Sequence, residues 1–166
     1  MTYRLATLIF FLAFLFQASL LNLISIFGAT PNMILCLVIV FAFLYDQDNF
    51  GIVLGVVFGL LYDICYMPVT GVSAMLYFLI ALTVMFSREI LNKENVGTVL
   101  LMTGVATFAF NLFTWCIYWV LGYGTSIMTM LRVQPLQIIW NLIVVSILYA
   151  VVIRKVIKHR RDRFYQ

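Results

Sequence analysis

The chain has 166 residues, 65% of them hydrophobic and only 10% charged, with a mean hydropathy of +1.12; a soluble domain of ordinary composition is roughly 45–50% apolar and about 25% charged. Ten basic and six acidic side chains are too few to cover a globular surface in water, and so apolar a chain is not disordered. Three cysteines, each inside an apolar run (Cys36, Cys65 and Cys116), exclude a disulfide-framed secreted scaffold, and a single histidine, His159, excludes a cluster with metal-ligand spacing.

What remains is an all-α integral membrane protein. Residues 5–27 carry no charge and at 1.5 Å per residue reach about 35 Å, enough to cross a bilayer with some tilt. The run is too long for the apolar core of a signal peptide, so it is expected to stay in the mature chain. Thr30-Pro31 then reads as an N-cap with proline at the first helical position of a second span, 31–45. Asp46-Gln47-Asp48-Asn49 is a polar turn whose Asn49 is placed to cap a third span, 51–67. Pro68 and Gly71 break the chain before a fourth at 69–87, a fifth covers 97–121, and Gln134-Pro135 opens a sixth at 135–153. The second span is short, about 22 Å, which implies local bilayer thinning or burial among its neighbours. The domain is then 1–153, followed by a basic tail, 154–166.

Lysine and arginine set the orientation. With both termini in the cytoplasm, Arg4, Arg88, Lys93, Arg154, Lys155, Lys158, Arg160, Arg161 and Arg163 lie inside and only Arg132 outside. Trp115, Tyr118 and Trp119 then form an outer aromatic belt on the fifth span, with Trp140 in the outer half of the sixth.

Four positions in the third span, Gly51, Gly55, Gly59 and Asp63, recur at i, i+4 and share one face. Small residues at this spacing let another backbone approach closely, either within the chain or as a seam for a partner. Asp63 is the one ionisable side chain well inside a span, and a carboxylate there marks a candidate site. It has two candidate partners: Arg132, the only basic side chain outside, or the backbone N–H groups around Val69–Val72, which it would cap. Gln17, Asn22, Asn111 and Asn141 are suited to interhelical hydrogen bonds. The tail residues Arg154, Lys155, Lys158, Arg160, Arg161 and Arg163 are suited to anionic lipid, as a topology anchor, or to a cytoplasmic protein. No phosphate-binding loop, HExxH, GxSxG or cysteine pair is present, and Glu89 and Glu94 beside Arg88 and Lys93 read as a solvated turn, so an enzyme is not expected, nor a nucleic-acid binder, a metal site or a cofactor.

From Thr30 to about Leu82 the order of these features resembles the MreD family, the bacterial rod-shape-determining membrane proteins. Thr30-Pro31-Asn32 opens a helix, a polar turn follows, Gly51/Gly55/Gly59 ends in Asp63, and Pro68 and Gly71 lead on. The family often has aspartate after the proline, where this chain has Asn32. The resemblance implies a multi-pass protein of the bacterial cytoplasmic membrane and a non-enzymatic scaffold of the cell-elongation machinery that supports peptidoglycan synthesis. It would bind MreC and act through it with MreB, RodA and a penicillin-binding transpeptidase. It also implies a helical arrangement like that of the substrate-binding subunits of energy-coupling-factor transporters. A vitamin-type transporter subunit is therefore the alternative function, although Ala6, Ala13 and Ala18 lack the alanine spacing by which those subunits dock their coupling protein.

Overall fold

A computed structural model describes residues 3–17, 29–44, 49–90, 96–124 and 126–163, with the backbone alone at 3, 50, 89–90 and 152–163. Six helices follow one another: α1 (Tyr3–Leu15), α2 (Met33–Leu44), α3 (Phe50–Tyr66), α4 (Val72–Ile90), α5 (Val96–Val120) and α6 (Ile127–Arg163). Two are long and apolar enough to cross a membrane unaided, Val96–Val120 and Ile127–Val151; α1 to α4 are shorter apolar helices. Most of the second half of the expected first span, Asn22 included, lies outside the described residues, as does the polar turn 46–48.

The bundle is organised around α2. All ten residues from Ile34 to Phe43 are buried, and α2 packs against each of the other five helices. A helix that is apolar on every face has no side for water or headgroups, so it belongs in the middle. The glycines of α3 allow that arrangement. A Cβ on Gly51 would lie 2.8 Å from the Ala42 amide nitrogen of α2, one on Gly55 2.6 Å from the Val38 side chain, and one on Gly59 2.9 Å from the Ala74 Cα of α4. The ridge is thus filled from inside the chain, and the opposite face of α3, with Val53, Val57, Leu60 and Ile64, is exposed.

Three helix ends differ from the sequence reading. The N-cap of α2 is Asn32, not Thr30: its Oδ1 accepts from the Leu35 N–H at 3.0 Å, and Pro31 precedes the helix instead of opening it. Asn49 stands at the N-cap of α3 but its side chain makes no capping bond. The sixth helix begins at Ile127 instead of Pro135, and Pro135 lies within it. Ser126 opens it, its carbonyl accepting from Thr129 at 3.0 Å and its hydroxyl from Met128 at 3.4 Å. Proline suits a first turn, but here the ring sits on an exposed face two turns into the helix, where the lost N–H costs a bond without a steric conflict in the core. The connection between α5 and α6, expected at 122–134, therefore shrinks to a few residues. α5 closes with Gly122 at φ +82°, Tyr123 N–H donating to Tyr118 O (2.9 Å) and Gly122 N–H to Trp119 O (3.2 Å), a Schellman end.

Candidate functional site

A short helix buried among apolar neighbours leaves the amides of its first turn without partners and without water. At α2 those groups are met by side chains from the rest of the bundle. The Asn32 N–H donates to Asn141 Oδ1 of α6 at 2.8 Å, and the Ile34 N–H to Gln17 Oε1 at the end of α1 at 3.1 Å. The Tyr77 hydroxyl of α4 donates to Asn32 Oδ1 at 2.9 Å, and Asn141 donates through Nδ2 to Thr107 Oγ1 of α5 at 3.0 Å. The Cys36 thiol points at the Asn141 carbonyl, 3.7 Å away, and the Tyr77 ring stacks on Phe110 at 5.1 Å. Gln17, Asn32, Tyr77, Thr107 and Asn141 are all buried. One polar knot therefore joins α1, α2, α4, α5 and α6. At the other end of α2, Arg88 of α4 donates through Nη1 to the Ala42 carbonyl at 2.9 Å, a cation on the negative end of the helix dipole.

The remaining helix, α3, is tied in through Asp63. Its carboxylate is fully buried, and Oδ2 accepts from the N–H groups of Gly71 (3.0 Å), Ser73 (2.8 Å) and Ala74 (3.4 Å). Gly71 has φ +98°, a turn that glycine adopts without strain and that aims these amides back at α3. Arg132, on the first turns of α6, is exposed, and among the described residues it makes no ion pair with Asp63. Of the two candidate partners of Asp63, the carboxylate meets the backbone amides at the start of α4 and not Arg132. Three amides at a helix N-terminus satisfy one oxygen of the carboxylate without a long arginine arm.

Farther along the α5–α6 pair the polar groups are less completely matched. Asn111 donates to Gln134 Oε1 (3.0 Å) and Gln137 Oε1 (2.9 Å). Thr114 Oγ1, Tyr118 OH, Gln134 Nε2, Trp140 Nε1 and the second carboxylate oxygen of Asp63 are buried with no hydrogen-bond partner among the described residues. Trp115 stacks on Trp119 at 6.2 Å, and Trp119 is 62% exposed. The basic positions Arg154, Lys155, Lys158, Arg160, Arg161 and Arg163 lie on the backbone of α6, which stays helical beyond Val151.

The sequence had marked Gln17, Asn111 and Asn141 as interhelical bonders; it gave no sign of Tyr77, Thr107 or Arg88. The one available clue was register: Thr107, Asn111, Thr114 and Tyr118 fall on a single stripe of α5.

Comparison with curated proteins and with solved structures gives no match. The family model described as rod shape-determining protein MreD matches residues 1–158, far beyond the 30–82 stretch in which the motifs are visible. That match covers nearly the whole chain, through all six helices to within the basic end of α6: the chain belongs to the MreD family.

Proposed function

We propose that the chain is a non-enzymatic scaffold of the bacterial cell-elongation complex, crossing the cytoplasmic membrane six times with both ends inside and binding MreC. Peptidoglycan synthesis and cell shape would depend on it through MreB, RodA and a penicillin-binding transpeptidase. The observation that carries this reading is the family match over residues 1–158. The site supports it: the buried polar side chains of the knot bond to helix ends and to one another, which fixes a shape.

Two experiments test it. Full-length protein solubilised in mild detergent should copurify with MreC, and its expression should restore rod shape to cells lacking their own MreD. Recovery of a transporter ATPase in place of MreC would favour the transporter reading. For the topology, a cysteine introduced at position 126 should label from outside the cell and one at position 47 only after permeabilisation; the reverse pattern would overturn the orientation.

A further inference from the structure

The buried side of α1, with Ala6, Phe10 and Ala13, faces the bundle. Its other flank holds a shallow, open groove of about 460 Å³ lined by Arg4, Thr7, Leu8 and Phe11. These positions, at i, i+3, i+4 and i+7, share one stripe over about 10 Å of helix. Along it the chemistry changes in one direction: an exposed guanidinium, a hydroxyl, then two large apolar side chains that are 52% and 47% exposed. That is the order of groups along a phospholipid, from phosphate through the ester region to the first methylenes. A guanidinium forms paired hydrogen bonds with phosphate, and among the described residues the lining holds this one cation and no acid, which favours an anionic headgroup over a zwitterionic one.

We propose that this flank of α1 is a site for an anionic phospholipid, with its phosphate on Arg4 and its proximal acyl chain along Leu8 and Phe11. The site is separate from the basic end of α6. It needs only that α1 meets the membrane surface near Arg4. A lipid held there would cover the outer side of the helix that carries Gln17 to the knot.

The test is lipid retention by native mass spectrometry of the full-length protein, titrated with phosphatidylglycerol and with phosphatidylcholine. The background carries Lys158, Arg160, Arg161 and Arg163 changed to Gln, so that the tail does not mask the site; the intact chain is measured in parallel. Arg4→Gln should weaken phosphatidylglycerol binding about fivefold, or ~1 kcal/mol, and leave phosphatidylcholine unchanged. Arg4→Lys, which keeps the charge but not the paired hydrogen bonds, should recover part of the loss, Leu8→Ser should weaken both lipids, and the exposed Arg132→Gln should change neither. Wild-type retention of phosphatidylglycerol by Arg4→Gln would overturn the proposal. So would an equal loss in Arg4→Gln and Arg132→Gln, which would show that total charge alone sets the binding.

Discussion

The first four helices and the α5–α6 pair solve the same problem differently. Around α2 the contacts are close and the polar groups matched: glycines on α3 bring backbones together, and side chains from five helices meet at the N-terminus of α2. The α5–α6 pair is longer and more exposed. It joins the core through Thr107, Phe110 and Asn141, and keeps buried polar atoms without a partner among the described residues at Thr114, Tyr118, Gln134 and Trp140, where the first four helices have only the second oxygen of Asp63. Lipid tails are as apolar as leucine, so burial alone does not tell helices how to associate in a bilayer. Close packing and hydrogen bonds do, and here they are concentrated on one half of the molecule. The difference marks the packing around α2 as the closely tied part of the molecule and the end of α5–α6 that carries Thr114, Tyr118 and Trp140 as the less completely tied one.

The largest effect should come from the glycines. Gly59→Leu forces a side chain into the Ala74 backbone, an overpacking that typically costs about 1–3 kcal/mol and more where the backbone cannot move; the yield of monodisperse protein in detergent should collapse. Gly104 on α5 has nothing within 4 Å of its Cβ position, so Gly104→Leu should be tolerated or slightly stabilising, by up to ~0.8 kcal/mol from helix propensity. Equal tolerance at both positions would erase the contrast between the halves.

The second effect lies at the cap of α2. Asn32→Leu removes the acceptor for both Leu35 N–H and Tyr77 OH and should cost about 1–3 kcal/mol in thermal or denaturant unfolding. Asn32→Asp keeps both bonds and places negative charge at a helix N-terminus, so it should lie much closer to wild type.

Asp63 should be intermediate. Asp63→Ala loses the cap of α4, worth about 0.5–2 kcal/mol; Asp63→Asn retains an acceptor and should be milder, and Arg132→Gln should be silent. A charge-swapped Asp63→Arg/Arg132→Asp protein that outperforms both single charge changes would revive the ion pair.

The smallest effect sharpens the comparison within one helix. Thr107→Val removes the acceptor for Asn141 and should cost ~0.6 kcal/mol or more. Thr114→Val, two turns away, removes a buried hydroxyl that has no partner among the described residues and should be neutral or stabilising. Both are read by unfolding in the same detergent.

The helices were legible because each apolar run is punctuated by proline, glycine or a polar turn. Their ends were legible only where one signal stood alone. At α6 the prominent Pro135 outweighed the quieter Ser126, and at α2 the Thr30-Pro31 pair outweighed Asn32, although asparagine caps as well as any residue. For Asp63 the sequence left two partners open. A sequence displays a charged side chain such as Arg132, whereas the unpaired amides at the start of α4 carry no letter of their own, so only the folded turn at Gly71 decides between them. Tyr77 and Thr107 look like ordinary span residues, and only the packing of α2 in the middle turns their hydroxyls into necessary partners. The family was legible in the 30–82 stretch because its prolines, glycines and Asp63 occupy turns and close contacts, while the remaining helices carry little beyond hydropathy.

The central claim is that the buried polar side chains hold the bundle in shape instead of lining a ligand site. A double-mutant cycle between Asn141→Leu and Thr107→Val, read as unfolding free energy of the full chain in detergent, tests it most directly. If the two side chains are structural partners, each single change destabilises and the pair is coupled by about 0.5 kcal/mol or more. Unchanged stability in both single variants, with no coupling in the double, would contradict it.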